Sequence, residues 1–398
     1  MKSKYWISIV IITALTIVLN IIAFSKSFCD WYTVTVYRAI NAVVGTLTGW
    51  FKLPLGEIIM YVGALMLVMI PVLGIVRIIL LKKKAYKNFY NGYLKICLMT
   101  IMLFLLVYTT NWFIPIRGNV LKIEDNTRTV FTDEELEQLR TEIVYKMNEI
   151  AAQIPRDENG VVISEYSQKD IAAYMAARGD EFPKLKGHYS QAKESICSPI
   201  LDMMGIGGYN YIYTMEPSYN RYVDKLYSPV VICHELCHHK GYYLENEASF
   251  LSVVVLTESD NLLFQYCGYR ELYAYVDNAC RRNYVNTKIT DPNLKEEFLA
   301  VAASINIDTN REYSDSFMAR LLYNYTYPQL DDIVWDDIEN ARNESDELYH
   351  SEVNAKVEEA ISEPVTQVAD KGWEVQSNIL KENIYDGMLL MYLQYYYD

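Results

Sequence analysis

SPVVICHELCHHKG, residues 228–241, is the most informative stretch of this 398-residue chain. Its opening Ser-Pro pair suits the N-cap and first position of a helix, and its closing glycine suits the left-handed residue just beyond a helix end. On a helix between these two signals, His234 and His238 lie one turn apart and face the same way. The stretch therefore predicts a short helix that presents two imidazoles on one side.

These two histidines, with Glu235 between them, form an HExxH motif, which can bind one Zn²⁺ and place the glutamate as a general base. Only five histidines occur in the chain, and three of them fall within residues 234–239, which argues against a chance match on a buried amphipathic helix. Lys240 departs from the strictest form of the pattern, where an apolar residue is usual. We predict that His234 and His238 are zinc ligands.

A catalytic zinc site needs a third protein ligand, and Glu245 and Glu247 follow the motif closely. Because they are two residues apart on a helix, their side chains point to different sides and only one can bind the same ion. Zinc proteases with glutamate as third ligand show a pattern resembling E-x-x-A-[D/E], which selects Glu245 and puts Ser249 where an acidic residue would contact a histidine. Thermolysin-like enzymes show N-E-A, which selects Glu247. We favour Glu245, keep Glu247 as the alternative, and rank Glu258 third.

The N-terminal part of the chain contains three uncharged apolar runs, each long enough to cross a bilayer as a helix. A cleaved signal peptide is the rival interpretation of the first run. No clear cleavage site follows it and two more runs come after, so an uncleaved anchor is favoured. The predicted spans cover residues of about 5–25, 57–80 and 95–116.

Charge indicates the orientation of these helices, because basic residues precede the first span and fill the connection between the second and third. Both positions are then cytoplasmic, and everything after Arg117 lies outside the cytoplasmic membrane. Residues 1–114 hold 11 basic and 2 acidic residues, a net charge of +9, which leaves 25 basic and 48 acidic residues and a net charge of −23 for the remainder. So acidic a remainder argues against nucleic acid and against tight docking on anionic lipid.

Two domains follow from this organisation, a membrane domain of residues 1–116 and an extracytoplasmic domain of residues 117–398. The uncharged stretch 39–51 is short and contains glycine and threonine, so we expect an interfacial or re-entrant segment there, not a fourth span. Seven cysteines, without a CxxC pair, indicate no disulfide framework.

The outer part is expected to be mainly α with a small β-sheet, an α+β fold. A capping box formed by Thr132 and Glu135 predicts a helix with apolar residues at helical spacing up to Ile154. The alternating stretch 209–214 predicts a strand, whose edge can hold an extended peptide beside the motif. The last 140 residues indicate helices.

Several motifs together resemble an uncharacterised bacterial membrane family, domain of unknown function 3810. The resemblance rests on three spans, the GIGG turn at 205–208, the stretch TMEPSYN at 214–220, HELCHHKG at 234–241, and ENEASF at 245–250. It implies a gluzincin-like zinc metallopeptidase fold but no substrate. Glu216 and Asn220 match family positions and are expected to shape the cleft.

Two functions of different classes remain open at this point. The first is a membrane-anchored zinc metallopeptidase that cuts a peptide or protein, in which Glu235 moves the proton and a Tyr or His stabilises the oxyanion. The second is a non-catalytic zinc-containing cell-surface receptor or assembly protein. Intramembrane proteolysis is disfavoured because the motif lies outside every predicted span. The candidate oxyanion donors are Tyr211, Tyr213, His239 and Tyr385.

Overall fold

The computed structural model describes residues 2–80, 83–119, 121, 130–309, 311–380 and 384–397, of which 2–3, 373–380 and 384–386 are described by their backbone alone. Most of these residues are helical. The helices and strands are α1 (Lys2–Ile22), α2 (Lys26–Tyr32), α3 (Arg38–Thr48), α4 (Leu55–Ile79), α5 (Lys84–Tyr108), α6 (Ile114–Ile116), α7 (Asp133–Ala151), α8 (Gln168–Ala177), β1 (Lys193–Glu194), α9 (Ser198–Met203), β2 (Gly208–Tyr211), β3 (Glu216–Tyr219), α10 (Ser228–His239), α11 (Glu245–Thr257), α12 (Leu262–Lys288), α13 (Leu294–Ser304), α14 (Asp315–Thr326), α15 (Asp332–Glu352), α16 (Ala355–Leu380) and α17 (Ile384–Tyr397).

Three helical segments are long and apolar enough to cross a membrane: α1, α4, and the continuous run of α5, a π-helical turn and α6. The first and third are parallel, since Tyr5 donates to the carbonyl of Lys95 at one end and Asn20 donates to Thr109 near the other. Tyrosines of α5 donate to carbonyls of α4, which runs in the opposite direction. The sequence prediction of three such helices is confirmed.

The third segment begins at Lys84, 11 residues before the predicted start at 95. Its first turns contain Tyr86, Tyr90 and Tyr93, whose hydroxyl groups all hydrogen-bond to α4. Hydropathy alone predicts that the span starts only after these polar residues. The helix starts earlier because α4 accepts the hydrogen bonds of their hydroxyl groups.

Residues 26–48 connect the first two of these helices through α2, a π-helical turn and α3. One face of this connecting helix is small or polar and buried, and the opposite face is apolar and exposed. Among the described residues no fourth helix is both long and apolar enough to cross a membrane, as expected for this stretch. The buried face consists of Thr33, Tyr37, Asn41, Gly45 and Thr48.

The C-terminal part is organised around α10 and α11, which pack on each other and on α12. Helix α7 starts with the predicted capping box, in which Thr132 accepts from the Glu135 amide and the Glu135 carboxylate accepts from the Thr132 amide. It packs along α12, and α17 covers α11. One continuous apolar core unites these elements with α8 and α15, so α10 is held from several sides.

A three-stranded sheet lies against α10, with the strand order β1–β3–β2. β2 pairs antiparallel with β3, and β1 pairs parallel with it. β2 ends at Tyr211, earlier than the predicted 214, because a tight turn with Met215 at a φ of 53° returns the chain. This turn is buried among the helix ends, where Met215 belongs to the same small apolar cluster as Ala23 and Ile114.

Candidate metal centre

The helix that carries the motif, α10, is buried along almost its whole length. Tyr227 is its N-cap, one residue before the predicted Ser228, and Pro229 occupies the second helical position, where no backbone donor is needed. Gly241 follows the helix with a φ of +93°, as its place in the sequence predicted. Lys240 is accommodated because its ammonium group donates to two carbonyls of the neighbouring loop.

His234, His238 and Glu245 come together at the junction of α10 and α11. The Oε2 atom of Glu245 lies 3.1 Å from Nε2 of His234 and 3.5 Å from Nε2 of His238. Glu245 is the first residue of α11, so the tight connection after Gly241 brings its carboxylate back over the two imidazoles. One oxygen therefore faces both histidines.

The imidazoles are oriented through their other ring nitrogens. Nδ1 of His238 lies 2.7 Å from the carbonyl oxygen of Tyr242, which accepts a hydrogen bond and leaves Nε2 as the lone-pair donor. Nδ1 of His234 lies 3.4 Å from the Ser249 hydroxyl, at the place where related patterns carry an acid. Tyr275 in turn donates to Ser249 at 3.3 Å.

The donor set fits a zinc ion. With bonds of about 2.0–2.1 Å, neighbouring ligands of tetrahedral Zn²⁺ are about 3.3 Å apart, and the Glu245 oxygen lies 3.1 Å and 3.5 Å from the two nitrogens. Ligand atoms of His234, Glu235 and His238 also lie within 4.8 Å of one another. Two imidazoles and one carboxylate are ligands that zinc accepts, and they leave a fourth position open.

Electrostatics around Glu245 favour a cation. Burial opposes its ionisation, but the two imidazoles hold the pKa of Glu245 below its usual range. Burial also lowers the pKa of His238, yet Glu245 and Glu235 outweigh it and raise that pKa to about 9. The cluster thus attracts a proton, and a divalent ion at this place would displace it.

Glu247 points away from the histidines. Its Oε1 atom accepts a hydrogen bond from the Leu121 amide, and burial raises its pKa although the Lys184 ammonium group opposes the shift. The helical spacing predicted that Glu245 and Glu247 face different sides, and the structure shows this. Glu258 pairs with Arg178.

Glu235 is buried between α10 and the start of β2. Burial raises its pKa to about 8, and no hydrogen bond from a described residue reaches its Oε2 atom. Gly208 lies so close that a Cβ atom there would be 2.6 Å from Cγ and 2.8 Å from Oε1 of Glu235. Only glycine leaves room for the carboxylate in this position.

The candidate cleft residues of the β2–β3 hairpin contact other parts of the chain. Tyr211 packs against Gly56, and the ring of Tyr213 lies 4.4 Å from that of Phe104 on α5. Glu216 forms an ion pair with Lys193. Glu216 also accepts a hydrogen bond from the Gly56 amide at the start of α4, and none of these contacts joins the histidine cluster.

The remaining candidates have separate surroundings. Asn220 donates to Asp202 and accepts from the Tyr222 amide, which closes a turn. His239 is fully buried, and its Nε2 atom accepts from the Ser190 amide at 3.2 Å. The side chain of Tyr385 lies outside the described residues.

Sequence reasoning did not identify Tyr243 and Tyr37 as parts of the site. The ring of Tyr243 stacks on His238 at 6.1 Å, and its hydroxyl lies 3.0 Å from that of Tyr37. Tyr37 and Asn41 both donate to the backbone carbonyl of His239 at the end of α10. The signal available in the sequence was the polar stripe along residues 33–48, which marks a buried face.

Residues 32–346 match the model of a family described as a protein of unknown function (DUF3810). The match covers most of the chain, including α10, α11 and two of the three long apolar helical segments, so the chain belongs to this family. Comparisons with curated proteins and with solved structures gave no match.

Proposed function

We propose that this chain is a membrane-anchored zinc metallopeptidase with a gluzincin-like site, which hydrolyses peptide bonds outside the cytoplasmic membrane. The observation that carries the proposal is the meeting of two imidazole nitrogens and one Glu245 oxygen, with the Glu235 carboxyl beside them. His234, His238 and Glu245 would hold the ion. When bound, Zn²⁺ lowers the pKa of a water molecule and polarises the peptide carbonyl.

Glu235 supplies the proton transfers. Its buried carboxyl lies beside the two imidazoles and has an oxygen that no hydrogen bond from a described residue reaches, so that oxygen is available to a water molecule held by the ion. We infer that it takes the proton of the attacking water and delivers it to the leaving amine. Tyr242 and Ser249 keep the imidazoles oriented during this exchange.

The basic ends of the three long apolar segments support the orientation. Lys4, Arg77 and Lys84 lie at the end of the bundle opposite to the C-terminal part, and by the positive-inside rule this distribution supports the proposal that the C-terminal part is outside. The alternative, a non-catalytic zinc-containing receptor or assembly protein, gives no reason for an unpartnered carboxyl beside the histidines.

The test uses the full chain purified in detergent and loaded with zinc. We expect one zinc per chain by elemental analysis, loss of zinc in Glu245→Ala, and retention in the matched variant Glu247→Ala. On a degenerate mixture of quenched fluorescent peptides, Glu235→Gln should keep the zinc and lower the cleavage rate by about 10²-fold or more.

Each alternative has its own outcome in this test. Folded wild type that binds no zinc after zinc is added would overturn the peptidase. Wild type that holds zinc and cuts no peptide would favour the receptor. Loss of zinc only in Glu247→Ala would keep the enzyme and change the third ligand.

A further inference from the structure

We infer that the substrate of this site is an extended polypeptide tethered to the same bilayer, cut within a few residues of the membrane surface. The inference rests on the proposed function and adds the substrate class to it. Three features of the structure carry it: an apolar face next to the site, the short distance from that face to His238, and the direction of β2.

The connecting helix of residues 26–48 has the amphipathicity of a helix that lies on a membrane. Its polar stripe is docked on the C-terminal part, while its apolar side and the residues after it are exposed, with Val43 62% and Trp50 75% accessible. Leu47 and Phe51 belong to the same exposed surface. Because this helix lies between two membrane-spanning segments, its apolar side faces the outer headgroup region, where tryptophan is favoured.

This membrane-facing helix touches the site directly. Tyr37 and Asn41 hold the end of α10 through the His239 carbonyl. Ring centroids are 6.4 Å apart between Tyr37 and Tyr243, and 6.1 Å apart between Tyr243 and His238. With a helix about 10 Å thick, the imidazole of His238 lies roughly 20 Å or less from the apolar face.

Strand β2 runs from Glu235 towards the ends of the long apolar helices. β2 begins at Gly208, against Glu235, and ends at Tyr211. Directly after it, the Ile212 carbonyl accepts a hydrogen bond from Asn111, in the π-helical turn that follows α5, at 2.8 Å. The strand rises about 3.3 Å per residue, so it covers about 10 Å between the candidate base and the helix ends.

A polypeptide can pair with the free edge of this strand. β2 pairs with β3 on one side, and no other strand among the described residues pairs with its second side. Tyr209 on this strand is 47% exposed, whereas Asn210 and Tyr211 are buried, so the open part of the edge is the Gly208–Tyr209 end beside Glu235. A chain added at this end by backbone hydrogen bonds passes Glu235 only about 10 Å from the helix ends, so a tethered polypeptide reaches it without a long connection.

The experiment compares tether lengths on the full chain in phosphatidylcholine proteoliposomes. The probe is a degenerate quenched peptide mixture attached to a dipalmitoyl anchor through a flexible spacer of about 6 or about 30 residues. Effective concentration falls roughly as the −3/2 power of spacer length once the spacer reaches the site, so we expect cutting to be about tenfold faster with the short spacer.

A second readout does not depend on catalysis. Zinc-loaded Glu235→Gln is irradiated with the same probes carrying a photoreactive residue, and the crosslinked residues are mapped by mass spectrometry. We expect crosslinks on residues 208–211, with a higher yield for the short spacer. Crosslinks elsewhere, or a higher yield with the long spacer, would overturn the inference.

The outcomes separate the two proposals. If the zinc-loaded wild type cuts no peptide on either spacer or in free form, the peptidase proposal fails, and the inference with it. If it cuts free and long-spacer peptides but spares the short-spacer peptide, the peptidase stands and the membrane-surface inference fails.

Discussion

Gly208 is the residue on which the position of Glu235 depends, because a Cβ atom there would overlap the carboxylate. We expect Gly208→Ala to lower kcat by about tenfold to 10²-fold, since a displacement of about 1 Å at a catalytic group has effects of this size. Zinc content should stay at the wild-type value, because the zinc ligands lie on α10 and α11. The measurements are elemental analysis and the rate on quenched peptides.

Gly372→Ala is the matched control for this change. A Cβ atom at Gly372 on α16 meets no other atom within 4 Å, so zinc content and kcat should both equal those of the wild type. An unchanged kcat in Gly208→Ala would contradict the prediction, because it would show that the Glu235 carboxyl can act from a second position.

At this same scale, the sequence predicted which side chains of the motif lie together but not every neighbour of the cluster. The spacing of His234 and His238 and the opposite directions of Glu245 and Glu247 follow from helical geometry alone. Tyr243 could not be found in this way, because its stacking on His238 depends on how the loop after α10 folds back.

A buried ion pair joins α7 and α12 in the C-terminal part. Nε of Arg140 donates to Asp277 at 2.7 Å, both side chains are buried, and Tyr323 donates to the same carboxylate. We expect Asp277→Asn to lower the free energy of unfolding by about 3 kcal/mol, because it leaves a buried guanidinium without its counter-charge. Thermal unfolding of the full chain in detergent measures this loss.

The same pair gives a pH dependence with a definite sign. Burial raises the pKa of Asp277, but Arg140 and Arg281 outweigh burial and lower that pKa below its usual range. A carboxyl whose pKa is lowered by folding stabilises the native state above its unfolded pKa of about 3.9 and loses this contribution as the pH falls through its folded pKa. The difference in stability between wild type and Asp277→Asn should therefore be constant near pH 7 and shrink below about pH 4. A difference that grows in acid would contradict the assignment.

Elements with a local signal were predictable, and those fixed by distant contacts were not. The capping box at Thr132 placed the start of α7, because the box is made of neighbouring residues. The early start of α5 depends on side-chain contacts with another helix, α4, and the early end of β2 depends on a turn at Met215 that is buried with Ala23 and Ile114 from distant parts of the chain.

For the molecule as a whole, the exposed apolar side of the connecting helix should matter only for tethered substrates. Val43→Asp puts a charge on that side, and we expect it to lower the cutting of short-spacer peptides severalfold and to leave free-peptide cutting unchanged. Ile305→Asp, at another exposed apolar position, is the control and should change neither rate. Equal loss on free peptides in Val43→Asp would indicate a damaged site.

Hydropathy predicted the three long apolar helices, since it is a property of composition. The docking of residues 26–48 on α10 was not predicted, because it joins Tyr37 and His239 across some 200 positions. In the sequence near Tyr37, only the polar stripe along residues 33–48 indicated that this face is buried.

The burial of the β2–β3 turn among helix ends has a consequence for biosynthesis. Residues 2–116 leave the ribosome first and, in the proposed orientation, are inserted before the rest of the chain has been translocated. Tyr213 and Met215 can then pack on these helices as soon as the β2–β3 hairpin has been translocated. The site would therefore fold in a fixed order, in which membrane insertion precedes the packing of α10 on the sheet.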